Sequence, residues 1–218
     1  MKVGTDSVLL GAWCNVREAG KILDVGTGTG ILAMMAAQRS EAAIDAIEID
    51  HEAYLQAIKN VQGSIFAGRI RVHHADFNSF AETCDTQYDS ILSNPPYFDN
   101  SLLPLNQGRS IARHNESLGL AELIQKSTVL LSKNGTISII IPFSKEVIAR
   151  QIAGESGLTA RRSLYIKGKA RGQVKRILIE WSKISGEREM IGHLTISDRN
   201  NNYSPAFKKL TGDFYLDI

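Results

Sequence analysis

The 218-residue chain is poor in cysteine, and its two, Cys14 and Cys84, lie far apart with no Cys-x-x-Cys partner and no histidine cluster. That excludes a disulfide framework and a cysteine-based zinc site, and it fits a reducing cytoplasm. Long apolar runs are also lacking. Runs such as residues 139–143 are far too short to cross a bilayer, and the amino terminus has no signal-peptide core, so no membrane role is expected. Internal repeats and low-complexity tracts are absent. His73 and His74 are adjacent in an extended stretch whose side chains alternate, so at most one faces inward; neither has a ligating partner nearby, and no metal is expected. A charge excess is missing too, since 25 Lys and Arg face 23 Asp and Glu. The basic residues are nevertheless uneven. Between residues 161 and 188 there are nine of them against only two acidic ones, Glu180 and Glu187.

What is present is enough apolar content, 43%, to bury a core as one globular domain. Apolar runs and helical periodicities alternate along the chain. Thr5 or Asp6 caps an opening helix whose Val8, Leu9, Ala12 and Trp13 face inward. Lys21–Val25 reads as a strand, Gly26-Thr27-Gly28-Thr29-Gly30 as a turn and Ile31–Arg39 as a helix. Further strands are expected at 43–50, 69–74, 88–93 and 136–141. Further helices are expected at 52–61, where Asp50 or His51 supplies the cap, at 118–131, which Gly135 ends, at 144–157 and at 204–209. Residues 98–108 read as a mobile loop over the site, and 164–166 with 174–181 as a hairpin joined by a glycine-rich link. The fold class is α/β: a doubly wound, mostly parallel sheet with a C-terminal antiparallel hairpin.

A glycine turn between strand and helix lets the backbone approach a nucleotide at a helix amino end. A dinucleotide fingerprint calls for glycine where Ile31 stands, and Asp24 precedes the first glycine by two positions. A carboxylate there suits a ligand with an ammonium group and no pyrophosphate. Glu48, inside an apolar run, costs desolvation unless it is paired, and a ribose diol at that distance from the glycines is a fitting partner. Asp76 is placed to accept from an adenine amine, with Phe77 over the ring, and Thr5 and Asp6 to hold the amino-acid end of a cofactor. Asn94-Pro95-Pro96-Tyr97 follows an apolar strand that the prolines must terminate. The Asn94 amide and the Pro95 carbonyl are acceptors for a planar amine with two N–H donors, with Tyr97 as a stacking face. A proline-terminated strand with Asn as turn former is the plain alternative.

In this order, Asp24-x-Gly26-x-Gly28-x-Gly30, Glu48, Asp76 and Asn94-Pro95-Pro96-Tyr97 resemble the motifs of class I S-adenosylmethionine-dependent methyltransferases that modify amino groups, a Rossmann-like fold. More narrowly, residues 2–6 with 9–13, Ala112-Arg113-His114 and Phe214-Tyr215-Leu216 resemble the valine-tRNA adenine-N6 methyltransferases, which modify the adenine beside the anticodon. The resemblance implies S-adenosylmethionine as cofactor, S-adenosylhomocysteine as product, no metal, tRNA as partner and no obligate protein partner. It implies cofactor contacts from Thr5, Asp6, Asp24, Gly26, Thr27, Gly28, Gly30, Glu48, Ile49, Asp76, Phe77 and Asn94, and catalysis by Asn94, Pro95 and Tyr97. RNA contacts are expected from Arg113 and from Arg161, Arg162, Lys167, Lys169, Arg171, Lys175 and Arg176, although a basic hairpin is also the usual solvated face. A single methyltransferase domain is expected, in which residues 1–20 cap the cofactor, 21–143 form the core and 144–218 carry a helix, the basic hairpin and a tail. The family carries an extra segment ahead of Met1-Lys2-Val3, so a truncated or late start is expected, leaving out part of the substrate or cofactor cover. Three other readings stay open: a protein-glutamine methyltransferase, because that amide offers the same two N–H donors, a methyltransferase of another RNA base amino group, and a noncatalytic RNA-binding module, which leaves the ordered acidic positions unexplained.

Overall fold

The computed structural model describes residues 4–96 and 119–215, which form one eight-stranded sheet covered by helices on both faces. In chain order the first half comprises α1 (Thr5–Trp13), β1 (Lys21–Val25), α2 (Ile31–Arg39), β2 (Ala43–Glu48), α3 (His51–Gln62), β3 (Ile70–His74), α4 (Phe77–Thr83) and β4 (Tyr88–Ser93). The second half comprises α5 (Leu120–Leu130), β5 (Leu131–Pro142), α6 (Glu146–Glu155), β6 (Thr159–Lys169), β7 (Val174–Ser182), β8 (Met190–Ser197) and α7 (Pro205–Thr211). The strand order is β3-β2-β1-β4-β5-β7-β6-β8. Strands β3, β2, β1, β4 and β5 are parallel, β7 runs against β5 and β6, and β8 lies parallel to β6 at the edge. The doubly wound sheet and its antiparallel hairpin are those expected from the sequence.

Side-chain alternation sorts the core to the two faces of the sheet. Ile22, Ile44, Leu92 and Leu178 join Leu9 of α1, Leu32 of α2 and Phe207 of α7 on one face. Leu23, Ile47, Ile91 and Ile179 join Phe77 of α4, Leu123 of α5 and Ala149 of α6 on the other. Because both faces are covered, the central strands read in the sequence as continuous apolar runs. Asp50 caps α3 as expected, its Oδ1 accepting from the Ala53 amide at 2.8 Å. Ser204 caps α7 in the same way, with Pro205 in the first turn.

Strand β8 and the end of α5 depart from expectation. Strand β8 was not foreseen, because Met190 and Ile191 are 65% and 60% exposed and the buried alternation that marks a strand is missing. Gly135 does not end a helix. α5 stops at Leu130 and the chain passes directly into β5, with Gly135 inside the strand. A Cβ there would stand 2.8 Å from the Tyr88 carbonyl oxygen, at the point where the β4–β5 register shifts between Tyr88 and Ser90. The glycine is required by this close approach of two backbones. Gly135→Ala is predicted to lower unfolding free energy by about 1–3 kcal/mol, read as an earlier denaturant midpoint at unchanged slope; an unmoved midpoint would contradict the contact.

The register also sets which ends meet. Val25 pairs with Ser93, Ser93 with Ile139 and Pro142 with Arg176. The carboxyl ends of β1, β4 and β5 and the link between β6 and β7 therefore share one edge, and the order reverses between β1 and β4, where an open α/β sheet leaves a crevice.

Candidate active site

The turn after β1 has three glycines because three of its residues need positive φ: Gly26, Gly28 and Gly30 stand at 72°, 59° and 82°. A side chain at any of them would be strained. The fold of this turn brings the Thr27 hydroxyl back onto Asp24, donating to Oδ2 at 2.6 Å. Asp24 is 1% exposed, and its Oδ1 is buried with no hydrogen-bond partner among the described residues. Burial, countered by the Thr27 hydroxyl and the Ala33 amide, pushes its carboxyl from 3.8 up to about 7. Beside it, Gly4, Ser7, Asn94 and the first residues of α2, Ile31 and Leu32, enclose a pocket of about 100 Å³.

A larger cavity of about 310 Å³ continues from Gly26, Gly28 and Asn94 across Glu48, Ile49, Asp76 and Phe77 to Pro95 and Pro96. Glu48 is 8% exposed, but its burial is compensated within the protein: Oε2 accepts from the Gly28 amide at 2.7 Å and Oε1 from the Asp50 amide at 2.9 Å. A ribose is thus not needed to account for this buried acid, though each carboxylate oxygen retains a second lone pair. Asp76 is the cap of α4, a helix not foreseen, and its Oδ2 accepts from the Ser79 amide and hydroxyl at 3.0 and 3.1 Å. Phe77 is buried and forms part of the cavity wall.

Asn94 directly follows β4, with Pro95 buried behind it. Its Nδ2 donates to Ser7 Oγ of α1 at 2.9 Å, a contact across 87 positions that no local pattern announces. Tyr97, Arg113 and the loop 98–108 lie outside the described residues. Among those described, no group of three or more His, Cys, Asp or Glu is arranged to hold a metal, and no helix is long and apolar enough to cross a membrane.

Comparison with known proteins agrees with this geometry. Residues 2–151 match the methyltransferase small domain model. A protein from Parabacteroides distasonis named tRNA1(Val) (adenine(37)-N6)-methyltransferase is 42% identical over 218 residues, covering 100% of this chain and 92% of the relative. The protein of the same name from Trichodesmium erythraeum is 41% identical over 219 residues, covering 99% and 91%. The chain belongs to this methyltransferase family. Its fold is shared with a predicted O-methyltransferase from Agrobacterium tumefaciens (TM-score 0.71, 20% identity, 95% and 96% of the two chains). A putative RNA methyltransferase from Pyrococcus horikoshii is similar over 83% of this chain and 82% of its own (TM-score 0.58, 19% identity).

Within this methyltransferase frame, several expected ligand contacts are spent inside the protein. Asp6 does not close the small pocket; its Oδ2 accepts from Arg176 Nε at 2.8 Å, while Thr5 is exposed and Gly4 and Ser7 line the pocket instead. Arg162 reaches both oxygens of Glu180, at 2.8 and 2.7 Å, and lies 4.1 Å over the Trp13 ring. Arg161 pairs with Glu187. These three arginines were expected to meet RNA phosphates, but ion pairing inside the fold already engages them. Lys167, Lys169, Arg171 and Lys175 remain around the β6–β7 link, the last three exposed.

Asp24 also makes stability depend on pH. The unfolded chain releases this proton near the ordinary value and the folded chain holds it to about 7, so its contribution makes stability fall as pH rises through that window. Asp24→Asn removes the titration. Thermal melts at about pH 5 and about pH 8 should show a smaller loss of melting temperature for the variant than for the parent, and an equal loss would contradict the assignment.

Proposed function

We propose that the protein transfers a methyl group from S-adenosylmethionine to N6 of an adenine in tRNA, the one adjoining the anticodon of a valine tRNA. The observation that carries this reading is the junction of the two cavities: a buried carboxylate lacking one partner, a left-handed glycine turn and Asn94-Pro95 meet on a single sheet edge. The residues present fit the cofactor. An ammonium group supplies what Asp24 Oδ1 lacks, the first amides of α2 suit a carboxylate, and Glu48, Ile49, Asp76 and Phe77 line a space fit for a nucleoside. S-adenosylmethionine supplies an electrophilic methyl on a cationic sulfur that departs neutral.

The chain's own residues have to make the amine a nucleophile. An exocyclic amine shares its lone pair with the ring, and accepting its N–H groups at the Asn94 side-chain carbonyl and the Pro95 carbonyl draws the nitrogen toward tetrahedral geometry. Most of the acceleration then comes from positioning in a cavity shielded from water. No side chain must take a proton first, because the nitrogen becomes cationic on forming its new bond to carbon and then loses a proton readily.

A glutamine side chain offers the same two donors, so Asn94-Pro95 alone does not separate the substrates. The basic β6–β7 link favours RNA, because it occupies the same edge as Asn94 and each cation there adds a salt-dependent phosphate contact. An adenine in an RNA loop is unpaired and can be splayed out at low cost, whereas a duplex base costs a few kcal/mol to extrude. The names of the relatives point the same way.

Incubation with methyl-labelled cofactor and either total tRNA or a peptide release factor tests the reading: label is expected in tRNA, and label in the release factor alone would overturn it. Asn94→Ala should retain less than about a tenth of turnover, about 1.4 kcal/mol of barrier. Lys169→Glu with Arg171→Glu should cut tRNA methylation while S-adenosylhomocysteine affinity, measured by calorimetry, stays within about twofold. Unchanged methylation in that double variant would remove the hairpin from the docking surface.

A further inference from the structure

We infer that Ser7 is a positioning residue that fixes which way the Asn94 side-chain amide faces; the inference rests on the role given to Asn94 above. The two ends of a carboxamide are nearly equal in size, and a half turn exchanges the acceptor oxygen for a donor nitrogen at little steric cost. For a residue that must accept from an amine, the exchange is fatal, since N–H would confront N–H. Ser7 Oγ, accepting from Nδ2 at 2.9 Å, draws the nitrogen toward α1 and turns the carbonyl to the opposite corner.

Ser7 can hold that orientation only if α1 is itself held. Leu9 and Leu10 are fully buried in the core. The helix start is tied by Asp6 to Arg176 of β7 at 2.8 Å. The helix end is tied by Arg162 of β6, which donates to the Trp13 carbonyl at 3.1 Å and covers its ring at 4.1 Å. Two arginines from the antiparallel hairpin thus clamp the helix that carries Ser7 against the strand end that carries Asn94. The pocket shared by Ser7, Asn94, Asp24 and the glycine turn is the space this clamp closes.

The test uses the full chain and five proteins: parent, Ser7→Ala, Ser7→Thr, Asn94→Ala and the Ser7→Ala/Asn94→Ala double variant that closes the cycle. Steady-state methylation of tRNA is read beside calorimetric titration with S-adenosylhomocysteine and thermal melting. Ser7→Ala should lower kcat about tenfold or more, since misorientation of a reacting contact is costly, with the dissociation constant within about twofold and the melting temperature near the parent's. Ser7→Thr keeps the hydroxyl and should restore most of the rate. Adding Ser7→Ala to Asn94→Ala should cost nothing further. A kcat for Ser7→Ala within about twofold of the parent, beside a crippled Asn94→Ala, would overturn the inference and leave the proposed function standing. Weakened S-adenosylhomocysteine binding, a lowered melting temperature with no rescue by Thr, or fully additive losses would also overturn it, assigning Ser7 to pocket cover or to helix stability. An active Asn94→Ala would defeat the role of Asn94 and this inference with it.

Discussion

A carboxylate buried at the end of the central strand is the constraint to which the rest of the sheet edge conforms. Asp24 is almost wholly desolvated; Oδ2 accepts from the Thr27 hydroxyl, and Oδ1 has no hydrogen-bond partner among the described residues. Bringing Thr27 back over the strand end takes a turn with three left-handed residues, hence three glycines. The same turn sends the Gly28 amide to Glu48, so two acids are bound to one loop; Glu48 meets a backbone amide at each oxygen, and Asp24 is left one partner short. A protein holds such a group when something else completes it. The adjoining pockets, the start of α2 and Asn94 are arranged around that unmet oxygen.

Much of this edge was legible in the sequence because its causes are local. Ile22, Leu23 and Val25 put apolar side chains on both faces of β1, the glycines mark positive φ directly, and Asp50 sits one residue ahead of a helical periodicity. The two prolines after Ser93 had to end β4 wherever the strand lay in the sheet. Two residues carry a structural duty whose cause is equally local. Asp76 follows a strand as a ligand contact would, but it also precedes Phe77-Asn78-Ser79, and capping claims one of its oxygens. Gly135 follows a helical stretch, the usual place for a terminating glycine, yet the need it meets is the approach of Tyr88 from another strand.

The contacts that hold α1 were beyond any sequence pattern. Asp6 and Arg176 are 170 positions apart, Trp13 and Arg162 149, and Ser7 and Asn94 87. Only the sheet order, which inserts β7 between β5 and β6, brings the hairpin's arginines over the amino-terminal helix. Basic composition does not reveal that some of these cations pair within the fold. Arg161, Arg162 and Arg176 serve the fold, where Arg's planar fork suits a bidentate pair with Glu180. Lysines dominate the exposed remainder, and a compact, hydrated charge suits loose contact with phosphates.

The central claim is that this edge methylates one adenine amine in tRNA, and the position of the product tests it most directly. A valine tRNA transcript is incubated with the protein and S-adenosylmethionine, digested to nucleosides and mapped, beside a transcript in which the adenine adjoining the anticodon is replaced by guanine. The account predicts N6-methyladenosine at that adenine in the first transcript and no methyl incorporation in the second. Equal incorporation into both, or methylated nucleosides other than N6-methyladenosine, would contradict it.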